Sequence, residues 1–164
     1  MEVIIKKLES MDKVPMDLLL LADPSIEHIK QYLYDSFIFV ATYDELTVGV
    51  VVVSRLDESA MEIINVSVNE HFQGTGIGKK LIHKAIDFCR DMHSQRIEIG
   101  TGNSSLMQLG FYQKCGFRIY EIWEDHFVKN YEEEIYENGI QCRDMVRLKI
   151  DLCRVDTSPG GLSL

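Results

Sequence analysis

The sequence predicts an α/β (α+β) fold, in which helices flank a mixed β-sheet with a central pair of parallel strands. The first observation is an apolar run at residues 63–68, which is typical of a strand. The second is a set of apolar residues between 81 and 92 that recur at helical spacing. The third is another apolar run at 96–100, which predicts a strand after that helix. Because a strand, a helix and a strand follow one another, the two strands are expected to be parallel neighbours.

Length and composition bound the class of protein. A chain of 164 residues with 46% hydrophobic and 26% charged residues is typical of one globular domain. We expect this domain to span 1–155 and the residues 156–164 to form a flexible tail. No run of 18 apolar residues predicts a membrane span, and a net charge of −9 argues against nucleic acid as a partner.

The cysteines and the first residues of the chain indicate in which cellular compartment the protein is expected. The four cysteines form no Cys-x-x-Cys pair and have no histidine cluster beside them, so neither disulfides nor a metal site are expected. The first residues lack the layout of a signal peptide. The sequence therefore predicts a cytoplasmic protein with reduced thiols.

The elements before the central strand follow in order from local signals. A first strand precedes two short helices, and two strands joined by a tight turn come next. Their predicted positions are a strand at 3–8, a helix starting at Pro15, a helix capped by Ser25, and strands at 37–43 and 48–53. The last strand is apolar throughout, which indicates that both of its faces are covered. Gly49 within it indicates a close approach by another part of the chain.

The elements after the strand at 96–100 are also predicted in order. A turn at 101–105 leads into a helix that ends near Gly116, and Phe117 opens another strand. The dipeptide Asn138-Gly139 predicts a tight turn. A closing strand at 143–152 then suits a final hairpin in a mixed sheet.

The stretch between the central strand and its helix carries the main functional signal. Its residues are Gln73, Gly74, Thr75, Gly76, Ile77, Gly78 and Lys79. A strand-to-helix junction gathers free backbone N–H groups and the positive end of a helix dipole, and glycine lets a ligand approach the backbone. These features predict a diphosphate cradle. The spacing of glycines and lysines fits neither a P-loop nor a dinucleotide fingerprint, and a tight turn that binds nothing is the alternative.

Two motifs resemble those of one enzyme superfamily. The stretch Gln73-x-x-Gly76-x-Gly78 resembles the pyrophosphate loop of the GNAT acyltransferases, and Tyr112-x-Lys114-x-Gly116-Phe117 resembles a second element of the same superfamily. The resemblance implies a GNAT-like fold with a mixed, largely antiparallel twisted sheet. It implies an N-acetyltransferase that moves an acetyl group from acetyl-CoA to a primary amine of a small molecule or protein by direct transfer in a ternary complex. A catalytically silent sensor of coenzyme A is the alternative, and a nucleotide binder is disfavoured by the loop spacing.

The resemblance also implies roles for particular residues. Tyr112 is implied as the acid that protonates the leaving thiolate, although a packing aromatic is its alternative. Glu62 falls where some members carry a general base, and a solvated carboxylate at a strand start is its alternative. Strict alternation would place Glu62, Ile64, Val66 and Val68 on one face of the strand. The implied contacts to acetyl-CoA are Val66, Ser67, Val68, the seven residues of the 73–79 stretch, Tyr112, and either Asn103 or Ser105.

The acceptor is not identified by these motifs, because they report the acyl donor. The acidic composition and the acidic run at 132–134 favour a cationic amine, although such a run is more commonly a solvated face. A homodimer is a reasonable expectation for a soluble enzyme.

Overall fold

The computed structural model describes residues 1–152, and the predicted domain boundary at 155 and the tail at 156–164 lie outside this range. The elements are β1 (Ile4–Lys7), α1 (Met16–Ala22), α2 (Ile26–Leu33), β2 (Ser36–Tyr43), β3 (Leu46–Arg55), β4 (Ala60–Val68), α3 (Ile77–Asp91), β5 (Arg96–Gly102), α4 (Leu106–Lys114), β6 (Arg118–Trp123), α5 (His126–Asn130), β7 (Tyr136–Glu137), β8 (Ile140–Gln141) and β9 (Met145–Asp151).

Seven strands form one sheet in the order β1-β2-β3-β4-β5-β9-β6. The pair β4 and β5 is parallel, and every other pair in this sheet is antiparallel. Strand β9 lies between β5 and β6, so the last described strand is an interior strand of the sheet. The predicted mixed, largely antiparallel sheet with one central parallel pair is therefore confirmed.

Helices cover both faces of this sheet. On one face, α3 and α4 bury an apolar cluster that includes Leu81, Ile82 and Leu148. On the other face, α1 and α2 bury a second cluster that includes Leu19 and Ile29. Strand β3 contributes to both clusters, as its continuous apolar run predicted. Burial of these side chains is the main stabilising contribution to the fold.

Several local predictions are confirmed. Ser25 caps α2, since its hydroxyl accepts a hydrogen bond from the His28 amide at 3.2 Å. A side chain at Gly49 would lie 2.9 Å from a Leu81 methyl carbon, so the glycine lets α3 approach the sheet. The Asn138-Gly139 turn forms with positive φ at both residues. The prediction that this turn and the closing strand form a final hairpin in the mixed sheet is wrong. The turn joins β7 and β8 in a separate two-stranded sheet, and β9 pairs with β5 and β6 instead.

Strand β4 is interrupted by a bulge, and this overturns the predicted alternation along it. Val52 pairs with Asn65 and Val53 with Ile63, so Ile64 has no partner on β3. An extra residue shifts the side chains beyond it to the opposite faces. Val66 and Val68 consequently pack on the α3 side of the sheet, whereas Glu62 contacts Arg147 on the other side.

Candidate active site

A split between β4 and β5 forms the centre of the site. The two strands pair only from Ala60 with Arg96 to Ile63 with Ile99, but β4 continues to Val68 and β5 to Gly102. Past the bulge, residues 65–68 pair with β3 on one side, and the other edge of their backbone has no partner on β5. A cavity of about 630 Å³ lies in this split. A free strand edge of this kind can pair with an extended ligand.

The glycine-rich stretch lies at the N-terminus of α3 as predicted. Gly74 and Gly76 have φ angles of +76° and +88°, a left-handed conformation that favours glycine. The first helical hydrogen bond runs from the Lys80 amide to the Gly76 carbonyl at 3.1 Å, which leaves the preceding N–H groups of the helix for a ligand. These groups and the helix dipole favour an anion at this position.

Side chains shape this loop and leave its backbone open. The Gln73 amide donates to the Val68 carbonyl at 3.1 Å, and the Thr75 hydroxyl donates to the Phe72 carbonyl. Ile77 is buried in the core, so only its backbone can face a ligand. A second cavity of about 370 Å³ lies over the loop and is lined by Lys79, which supplies positive charge.

The two cavities are parts of one cleft, because they share lining residues from β4, the glycine loop and α4. The shared residues are Val66, Ser67, Val68, Gln73, Gln108 and Tyr112. The cleft therefore runs from the anion-binding loop along the free edge of β4 into the split between the strands. All but Gln108 of these shared residues were predicted to contact acetyl-CoA.

Tyr112 lies where the two cavities meet. The ring packs in the core against Phe111 and Phe117, with centroid distances of 5.7 Å and 6.3 Å. Burial raises the pKa of the Tyr112 phenol to about 12, and Cys115 contributes to the same shift. Its hydroxyl therefore stays protonated at neutral pH.

Glu62 belongs to a buried ion cluster beside the cleft. Its Oε1 accepts from Nη1 of Arg147 at 2.8 Å, and Nη2 of Arg147 donates to Glu98 at 3.2 Å. The Arg147 guanidinium is almost fully buried and lies 4.4 Å from the centroid of the Trp123 ring. Burial alone would raise the pKa of Glu98, but hydrogen bonds from Tyr120, Arg96 and Arg147 lower it overall.

This cluster reaches the cleft through Gly100. A side chain at Gly100 would lie 2.6 Å from Nη1 of Arg147, and Gly100 itself lines the larger cavity. Glu62 does not line that cavity. Its side chain is 23% exposed, and only one of its oxygens bonds to Arg147.

Asn103 and Ser105 have different surroundings. The Asn103 side chain donates to the Gln141 carbonyl at 3.0 Å and accepts from the amides of Arg143 and Asp144 at 2.8 Å and 3.0 Å. Its amide therefore holds the segment before β9 and does not line either cavity. Ser105 lines the larger cavity, so it is better placed than Asn103 for the predicted polar contact.

Sequence reasoning missed two charged residues of this region. Arg147 approaches Glu62 across 85 positions of sequence, and Glu137 contacts Ser105 across 32. Each residue looked ordinary in its own segment, since Arg147 lies in a strand and Glu137 beside a turn. The only available signal was the mixture of aromatic and acidic residues at 131–137.

The site defines the class of protein: a glycine-loop cradle at a helix N-terminus continues into a split parallel strand pair, with a buried phenol between them. The sequence motifs implied the glycine loop and Tyr112 for an acyltransferase, whereas the split between the strands was not predicted. The family model described as "Acetyltransferase (GNAT) family" matches residues 8–117. The chain belongs to the GNAT acetyltransferase family.

Individual relatives agree with this family. The chain is 48% identical over 136 residues to the "Uncharacterized N-acetyltransferase YvbK" of Bacillus subtilis, covering 83% of this chain and 88% of that protein. It is similar to a Bacillus subtilis acetyltransferase solved in complex with CoA, with 45% identity, a TM-score of 0.88 and coverage of 93% and 100% of the two chains. A GNAT family acetyltransferase from Elizabethkingia anophelis with acetyl-CoA bound shows 43% identity, a TM-score of 0.87 and coverage of 92% and 98%.

These findings confirm the predicted GNAT fold and the predicted enzyme class, an acetyl-CoA-dependent N-acetyltransferase. Within residues 1–152, no helix is long and apolar enough to cross a membrane. The thiols of Cys89, Cys115 and Cys142 are free and buried.

Proposed function

We propose that the protein transfers the acetyl group of acetyl-CoA directly to a primary amine while both substrates are bound in one cleft. The observation that supports this most strongly is the continuity of the two cavities through Tyr112. The smaller cavity and the adjoining free edge of β4 suit the acyl donor, and the remainder of the larger cavity suits an acceptor. We place this reaction in the cytoplasm, in keeping with the three free thiols.

The glycine loop and β4 hold the donor in this proposal. The free N–H groups from Gly76 onward bind the pyrophosphate, and Lys79 adds charge at the same place. The backbone of Val66 and Val68 pairs with the pantetheine arm along the free edge of β4, and Ser105 supplies a polar contact. These contacts fix the thioester beside Tyr112, which converts a bimolecular encounter into a reaction within one complex.

Two side chains move the protons. The acceptor must lose a proton before its nitrogen can attack the thioester carbon, and Glu62 accepts that proton through water. The carbon–sulfur bond then breaks, and Tyr112 donates its phenolic proton to the departing sulfur. The second proton of the acceptor nitrogen passes to the Tyr112 phenolate, which restores the phenol and leaves a neutral amide. The high pKa of Tyr112 keeps this proton in place at neutral pH until the thiolate develops. The products are the acetylated amine and free CoA.

The first test measures acetyl-CoA binding by calorimetry and thiol release across a panel of primary amines. Binding together with thiol release on an amine supports the proposal. Binding without release on any amine favours the silent sensor instead. Absence of acetyl-CoA binding would reject the assignment of the glycine loop as the donor site.

The role of Tyr112 is tested by Tyr112→Phe. We expect kcat to fall about a hundredfold, because removal of a positioned acid costs about this much, whereas acetyl-CoA affinity stays unchanged. The loss should persist from pH 6 to pH 10, because the wild-type phenol, with its pKa raised to about 12, remains protonated over this range. Phe117→Leu is the control, because Phe117 packs beside Tyr112, lines neither cavity and carries no proton to donate. Equal kcat in Tyr112→Phe and wild type would remove the acid role.

The role of Glu62 is tested by Glu62→Gln, which can still accept the hydrogen bond from Arg147. At pH 7 we expect kcat/KM to fall about tenfold or more, because the amine then needs a base. The loss should shrink as the pH approaches about 10, where free amine becomes abundant in solution. The matched control is Glu58→Gln, an exposed carboxylate just before the same strand. A pH profile identical to that of wild type would show that Glu62 takes no proton.

A further inference from the structure

Part of the larger cavity lies beyond the surface that the acyl donor uses. The donor follows the free edge of β4 and brings its thioester beside Tyr112, so the acceptor nitrogen must reach the same place. The rest of the cavity is bounded by the end of α1 with the turn after it, and by α5 with the segment that follows. These two walls contribute only apolar and aromatic side chains, namely Leu21, Ala22, Pro24, Phe127, Tyr131 and Ile135.

We propose that these two walls bind the body of the acceptor, so that the enzyme selects small primary amines whose body is apolar and carries no second charge. The reactive nitrogen stays at the thioester beside Tyr112, and only the remainder of the molecule extends between the walls. This inference rests on the proposed acetyltransferase function and names the substrate class of that site.

Each wall presents a half-exposed apolar side chain to the cavity. Leu21 on α1 is 52% exposed, Tyr131 just after α5 is 50% exposed, and both line the cavity. Burial and the nearby charge of Asp23 raise the pKa of the Tyr131 phenol, so the turn after α1 lies close to Tyr131. A ligand between the two walls would therefore cover apolar surface that now contacts water, which contributes to affinity in proportion to the area covered.

The aromatic wall has a fixed position. The Phe127 amide donates to the Arg143 carbonyl at 2.9 Å, which attaches α5 to the segment before β9. A side chain at Gly102 would lie 3.5 Å from a carbon of the Phe127 ring, so this ring packs over the end of β5. The rings of Phe127 and Tyr131 stack with their centroids 5.8 Å apart. Because these contacts exist without a ligand, little ordering of side chains is needed when the acceptor binds.

Polar side chains that line the cavity are already engaged. Asn65 is almost fully buried, and its amide donates both to the Leu19 carbonyl at 3.0 Å and to the Tyr32 hydroxyl at 3.1 Å. The Glu137 carboxylate accepts from the Ser105 hydroxyl at 3.0 Å, at the N-terminus of α4, where the helix dipole favours a negative charge. No lysine or arginine of the described residues lines the cavity. A second charge on the acceptor would therefore lose water against apolar side chains, which is unfavourable.

The test compares hexylamine, the matching amino alcohol aminopentanol, and cadaverine. Their chains have equal length and end in a methyl, a hydroxyl and an ammonium group. Thiol release at saturating acetyl-CoA gives kcat/KM, and calorimetry gives the affinity for the enzyme–CoA complex. In both measurements we expect hexylamine to be preferred over aminopentanol by about tenfold or more, and cadaverine to be the weakest. Shortening hexylamine to propylamine should lower kcat/KM by up to about fourfold for each CH₂ removed.

Variants of the walls test whether these side chains cause the preference. Leu21→Ala and Tyr131→Ala should each reduce the preference for hexylamine over propylamine about threefold or more, because less apolar surface covers the chain. Tyr131→Phe should keep the preference, since it loses only the hydroxyl. Leu46→Ala and Tyr34→Ala are the matched controls, because both side chains are exposed and line neither cavity. The four side chains are at least half exposed, so melting temperatures near that of wild type are expected.

Three outcomes would overturn the inference. They are a preference for cadaverine over hexylamine, equal use of hexylamine and aminopentanol, and an unchanged dependence on chain length in both Leu21→Ala and Tyr131→Ala. Failure of the proposed function looks different, because wild type would then transfer acetyl to no amine in the panel, and this inference would fail with it. Transfer to other amines but not to hexylamine rejects this inference alone and leaves the acetyltransferase proposal standing.

Discussion

At the scale of one residue, Gly76 shows how the lack of a side chain can support ligand binding. It lies immediately before α3 with a φ of +88°, where residues with a β-carbon are strained. A side chain added there would meet no other atom within 4 Å on the folded chain. The requirement for glycine therefore comes from the backbone conformation and from the space that a ligand needs, and not from packing.

This argument predicts the effect of Gly76→Ala. The strain of about 1–2 kcal/mol and the methyl group in the cradle should weaken acetyl-CoA binding by about tenfold or more, measured by calorimetry. Gly139→Ala is the matched control, because Gly139 has a φ of +74° and equally open space but lies in the β7–β8 turn. Both variants should lose similar stability. Equal acetyl-CoA affinity in the two variants would contradict the cradle.

Glu62 shows at the same scale how a role suggested by position depends on neighbours that the sequence does not display. By alignment it falls where some members of the family carry a base. In the structure it bonds to an almost fully buried arginine from the last strand. That pairing holds the carboxylate in place but leaves only one oxygen for proton transfer. The pH dependence of activity therefore tests its catalytic role.

At the scale of elements, the sequence predicted what depends on adjacent residues. The glycine loop, the helix after it and the strand pair around it are contiguous, so local periodicity was sufficient. The apolar run of β3 similarly predicted a strand covered on both faces, and Val50 and Val51 indeed belong to the two different clusters. Capping by Ser25 also needed only a few neighbouring residues.

What the sequence did not predict depends on distant pairing. The bulge at Ile64 arises from the pairing register between β4 and β3, and no distinctive residue marks it in the sequence. The insertion of β9 between β5 and β6 is a property of the whole sheet. For the same reason, Glu137 and Arg147 were missed, since each reaches the site from a segment far away in the chain. The bulge has a functional consequence, because β4 and β5 separate beyond it and the cleft opens there.

At the scale of the whole molecule, the cleft lies at the centre of the sheet and apolar layers surround it. The layer on the α3 side contains ionisable groups that are held neutral. Burial raises the pKa of the Cys89 thiol to about 12, and Cys89 is completely inaccessible to solvent. Burial also raises the pKa values of the Cys115 and Cys142 thiols. The folded state therefore resists the loss of these protons as the pH rises.

This burial predicts an alkaline limit to stability. Unfolding exposes the Cys89 thiol, which ionises near pH 9 in the unfolded chain but only near pH 12 in the folded one. The stabilising contribution is therefore complete below pH 9 and decreases above it, by up to about 1.4 kcal/mol for each pH unit. Denaturant unfolding at pH 8 and pH 10 measures this change. Cys89→Ala and Cys89→Val should both reduce the difference between the two pH values by about 1.4 kcal/mol relative to wild type. The two variants differ in packing, so a shared reduction identifies the lost thiol as its cause, and a pH dependence as steep as in wild type would show that Cys89 does not set the alkaline limit.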